Sequence, residues 1–241
     1  MSVLVPLPDP SRDENGESLG DRAYLAIRRA IITCALPPGT EVSETQLAAR
    51  FGFGKAPVRA ALSRLAQDRL VRAQARRGWR IAPVTLRDVR DIFDLRQLLE
   101  SEAARLAAGQ VAVDELTQLD AACQARYSPG DPESAEKFLA SNREFHLLIA
   151  RRSGNARLAA MLEQLMMESE RLLHIGLALR DRTEEISHEH HCLIDALVAG
   201  DSVEAARIAA EQVADSFRMV RDAILSSDPV DTLSIRLDGL A

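Results

Sequence analysis

The sequence predicts a mainly α protein in which an N-terminal winged helix-turn-helix precedes an all-α antiparallel helical bundle of about six helices. Three observations carry that expectation. Charge is split along the chain: the formal net charge over 241 residues is −6, yet residues 20–85 carry twelve Lys or Arg against four Asp or Glu, and residues 86–241 carry seventeen against twenty-eight. The basic part is punctuated as helix, helix, tight turn, helix and hairpin, whereas the acidic part repeats apolar residues at helical spacing with short connections. Hydrophobic residues make up 46% of the chain but aromatics only 4%, so the core is built from Ala, Leu, Ile and Val, which suits packed helices.

Taken in order, residues 1–18 hold Pro6, Pro8 and Pro10 and then a polar acidic run, and are expected to be a disordered tail. Tyr24, Ile27 and Ile31 place a helix over 21–33, which Leu36-Pro37-Pro38-Gly39 cannot continue. Ser43 and Gln46 form a capping box that starts a helix reaching about residue 51, where Gly52-Phe53-Gly54 breaks it. A third helix starts near Lys55, with Pro57 tolerated in its first turn and Val58, Leu62 and Leu65 on one face. Extended pieces at 70–73 and 79–82 flank the basic tip Gln74-Ala75-Arg76-Arg77-Gly78, a hairpin. The domain division is therefore 19–85 for the winged module and 86–228 for the bundle, with a second tail at 229–241. Within the bundle, helices are expected at 86–108, 112–127, 132–152, 155–180, 183–199 and 202–226, separated by Gly, Pro and Asp punctuation, with Asp201 and Glu204 resembling an N-terminal cap.

Several classes are disfavoured. Cys34, Cys123 and Cys192 have neither metal nor redox spacing, and an odd count argues against a disulfide scaffold. No apolar run reaches the length of a membrane span, and the N-terminus lacks a basic start followed by an apolar stretch. A cytoplasmic protein is the expectation.

In a helix-turn-helix the second helix enters the major groove by its N-terminal residues. Lys55 and Arg59 lie four residues apart on one face, and either can donate to guanine O6 and N7. Arg50, Arg64 and the wing residues Arg76, Arg77 and Arg80 are better placed for phosphates. The full expected DNA-contacting set is Thr45, Arg50, Lys55, Ala56, Arg59, Arg64, Arg76, Arg77 and Gly78. Any Arg or Lys among these, taken alone, reads more readily as a solvated side chain; the ordered set of capped helix, turn, basic helix and basic hairpin does not. The pieces LPPGT-x-x-S-E-x-x-LA, APVR-x-A-L-x-x-L and the R-R-G wing resemble the N-terminal domain of GntR-family transcriptional regulators over the whole basic module. Where that family usually has Ser-Arg-Thr before Pro-Val-Arg, this chain has Gly54-Lys55-Ala56, and Ala60 replaces a common Glu. The resemblance therefore implies sequence-specific DNA binding without implying the family's usual operator.

In the bundle, polar residues fall inside apolar stripes, where each needs a partner. The stripe of the first bundle helix runs Val89, Phe93, Arg96, Leu99 or Glu100, and Ala103. Arg96 either pairs internally with Glu100 or receives a ligand carboxylate. Asn142 and His146 lie one turn apart on the third bundle helix, His190 lies on the fifth and Gln212 on the sixth. These five residues could converge on one cavity that binds an effector.

R-x-x-L-E near Arg96, N-x-x-x-H in SNREFHLLIARRSGN, E-H-x-x-L-I-D-A-L and G-D-x-x-x-A resemble the FCD effector domain of the FadR-like branch of the same family. That resemblance implies a homodimeric regulator, more often a repressor, whose DNA affinity responds to a small organic acid. It also implies a divalent metal on an Asp and three His, which fall here on Asn142, His146, His190 and Gln212. Two of those four are amides, so metal affinity is expected to be weak or absent, with Asn142, His146 and His190 the remaining candidate ligands. The leading expectation is not an enzyme. The alternative is a helical-bundle metalloenzyme using His146 and His190, weakened by the lack of a placed general base.

Overall fold

The structure is a computed structural model that describes residues 17–75, 78–123, 132–177 and 183–226. The chain divides into two compact units, the first ending at Ala82 and the second starting at Pro83.

In the first unit, α1 (Leu19–Ile32), β1 (Glu41–Val42), α2 (Glu44–Phe51), α3 (Lys55–Gln67), β2 (Val71–Gln74) and β3 (Gly78–Ile81) make a winged helix-turn-helix. Helix α1 starts earlier than periodicity alone predicts. Ser18, assigned to the tail by its surroundings, is instead the N-cap, with Asp21 N–H donating to its Oγ at 3.1 Å and Asp21 Oδ2 accepting from Ser18 N–H at 3.2 Å. A capping box with Asp in the third helical position is chemically equivalent to one with Glu or Gln. Ser43 and Gln46 form the expected box of α2, and Gly52, at φ +72°, ends that helix in the left-handed region.

The face of α3 that carries Val58, Ala61, Leu62 and Leu65 is fully buried against Ala23, Ile27 and Ile31 of α1 and Leu47 of α2. Each such Leu or Ile contributes about 1.5–3 kcal/mol by leaving water. The sheet is antiparallel in the order β1-β3-β2, with Val42 opposite Trp79 and Val71 opposite Ile81. Strand β1 has only two residues, too few for any periodicity, and is found only through its pairing to β3. Gly78, at φ +89°, makes that pairing feasible, since a Cβ there would lie 2.8 Å from Val42 O.

The second unit holds, among the described residues, six helices: α4 (Leu86–Ala107), α5 (Val113–Cys123), α6 (Pro132–Arg152), α7 (Ala156–Leu177), α8 (Thr183–Ala199) and α9 (Ser202–Ser226). Thr85 and Asp88 cap α4 as a third capping box, and Asp201 accepts from Glu204 N–H at 3.0 Å at the start of α9. Helices α4 and α9 pack along one another and α7 closes on both. A Cβ on Gly176 would meet Met219 Cε at 2.8 Å and Val220 Cγ2 at 3.3 Å, so α7 and α9 lie close there and a larger residue would make the Met219 side chain shift. Helix α5 is described as far as Cys123; the remainder of the expected helix at 124–127, the end of the one expected to 180, most of the first tail and the second tail lie outside the described residues. Among the described residues no helix is long and apolar enough to cross a membrane.

Candidate functional site

The first unit presents α3 outward. Thr45, Lys55, Ala56, Arg59 and Arg64 are exposed, while Val58 and Leu62 between them are buried. The same 3.6-residue period that builds the core thus leaves Lys55 and Arg59 on a shared outer face.

The arginines are not equivalent. Arg59 is bound in a fork by Glu44 of α2, Nε to Oε1 at 2.9 Å and Nη2 to Oε2 at 2.8 Å. Arg64 pairs with Asp21 at 2.5 Å, its guanidinium 4.1 Å from the Tyr24 ring centroid, and Tyr24 in turn donates to Asp68 at 2.7 Å. Arg50 donates to Ala35 O at 3.0 Å. Arg64 and Arg50 therefore brace the helix packing, and a phosphate must compete with those partners. Arg76 and Arg77 lie outside the described residues, and Gly78, expected as a DNA contact, has the backbone role given above.

In the second unit, the five expected effector residues do line one cavity. Arg96 and Glu100 come from α4, Asn142 and His146 from α6, His190 from α8 and Gln212 from α9, with Leu173, Leu177, Ile186 and Met219 as apolar wall. The cavity measures about 20 Å3, room for one or two waters. An organic effector enters only as these side chains move apart.

Arg96 is not a free cation. Its Nε donates to Glu100 Oε1 at 2.8 Å and its Nη1 to Ser169 Oγ at 3.1 Å, all three residues being buried. The internal pair is thus the alternative realised for Arg96. Burial pushes the Glu100 carboxyl up from its ordinary value, with Arg96 acting in the opposite sense. His146 Nδ1 lies 3.2 Å from Glu100 Oε2, but not along a hydrogen-bonding direction, so that oxygen lacks a donor. Burial, reinforced by His190 and Arg96, holds His146 well below its usual range, so its ring is neutral at pH 7. His190 is also lowered by burial, while Asp120 opposes that shift at 3.1 Å from its Nδ1. The His190 ring stacks on Phe145 with centroids 3.9 Å apart. Gln212 donates from Nε2 to Glu189 O at 2.7 Å, which leaves Gln212 Oε1 buried without a partner.

This donor set does not fit the four-ligand metal site that the resemblance implies. Both imidazoles have a carboxylate near Nδ1, an arrangement that orients metal-bound histidines. The other two positions are neutral amides, and among the described residues no three His, Cys, Asp or Glu side chains cluster to hold an ion.

Asp120, Ser169, Glu170 and Arg171 are buried polar residues that the sequence reading missed. Asp120 follows Leu116 by four residues and precedes Cys123 by three, so testing α5 for a polar residue in its stripe finds it. Ser169 sits three residues after Met166 on the buried face of α7 and is found the same way.

Comparison with known proteins bears on both units. Residues 19–81 match the family described as bacterial regulatory proteins, gntR family, and residues 91–215 match the FCD domain. The HTH-type transcriptional regulator YdhC of Bacillus subtilis is 30% identical over 178 residues, spanning 71% of this chain and 77% of that protein. The HTH-type transcriptional repressor RspR of Escherichia coli is 24% identical over 208 residues, 85% of this chain and 91% of its own. Among solved structures, E. coli McbR/YncC superposes with a TM-score of 0.71 at 26% identity, covering 86% of this chain and 99% of that one.

Proposed function

The chain belongs to the GntR family of bacterial regulatory proteins and carries an FCD domain, and from that premise we propose that α3 reads operator DNA while a small molecule in the bundle cavity sets its affinity. That the protein is a DNA-binding transcriptional regulator and not an enzyme follows from the family and its relatives. The metalloenzyme alternative gains no support from them. The finer assignments are our reading. Lys55 and Arg59 contact bases, and Thr45, Ala56 and the wing around Gly78 approach the backbone. The protein acts in the cytoplasm as a homodimer on a short palindrome, and represses, as the name of the RspR relative states for that protein.

The effector is a small polar metabolite held directly by Asn142, His146, His190 and Gln212, without a tightly bound metal. A ligand carboxylate reaching Arg96 displaces Glu100 as its partner, so an organic acid binds there by exchanging one anion for another. A ligand changes DNA affinity only through unequal binding to the DNA-competent and incompetent arrangements, with coupling of about 1–3 kcal/mol.

The observation that carries this reading is the outward Lys55–Arg59 face of a helix whose opposite face is fully buried. Gel-shift titration of Arg59→Ala on the chain's own upstream region, at fixed salt, tests it. Affinity falls by about a hundredfold if α3 reads bases in two half-sites, and equal affinity for wild type and variant rejects the assignment.

A further inference from the structure

The orientation of Arg59 is set by a residue outside α3. Glu44, the first residue of α2, accepts from Arg59 Nε at 2.9 Å and 3.1 Å and from Nη2 at 2.8 Å. The two side chains are unequal: Glu44 is 23% exposed and Arg59 68%. Glu44 is the anchored partner, next to the Ser43 cap and to Val42, which pairs with Trp79 on β3. The Arg59 fork, then burial acting oppositely, then the Trp79 indole and Lys55 set its carboxyl, with the net result below the ordinary carboxylate value. The carboxylate therefore lies where α2, α3 and the wing strand meet.

A guanidinium has two bidentate edges. Glu44 occupies the side-on edge, Nε with one hydrogen of Nη2, and leaves the end-on edge, Nη1 with the outer hydrogen of Nη2. That remaining edge matches O6 and N7 of guanine. Exposed ion pairs contribute little to stability, and a carboxylate on a surface that meets phosphates repels every duplex alike. The dipole of α2 favours an acid in its first turn, but neither that nor general DNA affinity accounts for its fork with Arg59.

We propose that Glu44 is the positioning residue for Arg59, holding the guanidinium by its side-on edge so that its end-on edge faces a guanine, at the expense of affinity for DNA in general. This rests on the reading of α3 as the base-contacting helix. The prediction is therefore that Glu44 raises discrimination between duplexes and lowers binding to all of them.

The full chain is first used to enrich a duplex from a random-sequence pool. Wild type, Glu44→Ala, Glu44→Gln and Arg59→Ala are then titrated on that duplex and on a scrambled one at several salt concentrations. Glu44→Ala is expected to bind the scrambled duplex at least as tightly as wild type, with the slope of log K against log salt steeper by about 0.9. Its preference for the enriched duplex falls about tenfold. Glu44→Gln keeps one oxygen for the guanidinium and recovers part of that preference, with the same steeper slope. Equal weakening of Glu44→Ala on both duplexes marks a purely structural residue and overturns the proposal. So does an unchanged preference in Glu44→Ala while Arg59→Ala loses it, a result that leaves the role of α3 standing. If Arg59→Ala keeps the preference, or no duplex is enriched, the reading of α3 itself fails.

Discussion

The two units use polar residues in opposite ways. Every buried polar or charged residue among those described, from Arg96 to Gln212, lies in the second unit; the core of the first is wholly apolar. Arg59, Arg64 and Lys55 lie at a surface, where a charge costs little and partners exchange readily. Arg96, Glu100, Asp120, His146 and His190 lie in an interior, where each charge or ring depends on the particular groups packed around it. A module that grips a polyanion needs exposed cations on a rigid body. One that responds to a small molecule needs interior polar groups whose partners can be exchanged.

The largest test of that contrast is Glu100→Leu. Removing the carboxylate leaves the Arg96 guanidinium buried without its counter-charge, and breaking a buried pair costs about 3–5 kcal/mol. Urea unfolding should show this loss in the helical unit with the winged unit unaffected, and an unchanged midpoint would mean that Arg96 finds another partner. Arg96→Ala strands Glu100 in the same way, so it tests stability as much as effector response.

pH offers the next test. His146 and His190 have folded-state pKa values below the usual 6.5, so the unfolded chain takes up protons before the folded one. Their contribution is present above about 6.5 and is lost as pH falls below it. Glu100, raised above 4.5, acts in the opposite sense over the window above 4.5 and offsets part of the loss. Melting of the helical unit should therefore fall as pH drops from 7 towards 5, more steeply below 6.5 than above it, while melting of the winged unit changes less. Equal slopes for both units would break the comparison.

The smallest expected effect belongs to Gln212→Met, which keeps the length of the side chain and removes the partnerless Oε1. Stability should hold or rise by up to about 1 kcal/mol, because a buried acceptor without a donor is removed. Response of DNA affinity to effector should be lost, read as an identical gel-shift midpoint with and without cell-extract metabolites that shift the wild type. A clear destabilisation would show that the bond from Gln212 Nε2 to Glu189 O is the residue's main role.

Much of this was legible in one dimension. Glycine and proline punctuation located the ends of α1, α2, α4, α6 and α8, and the Ser43–Gln46 box gave the start of α2 to the residue. Arg96, Asn142, His146, His190 and Gln212 were found because a polar residue in an apolar stripe is visible from spacing alone. Ser18 was missed because the tail before it hides a cap whose third-position partner is Asp. Strand β1 escaped because two residues carry no period. Asp120 required the same stripe test on a helix where it had not been applied.

What remained hidden was pairing. The local period of the chain dictates which residues face inward, since that depends on φ, ψ and side-chain direction over a few residues. It does not dictate whether the inward Arg96 meets Glu100 or a ligand, nor that Glu44, fifteen residues before Arg59, holds its guanidinium. Those choices depend on the distance between helices and the rotamers that packing permits, quantities set only once the elements are assembled.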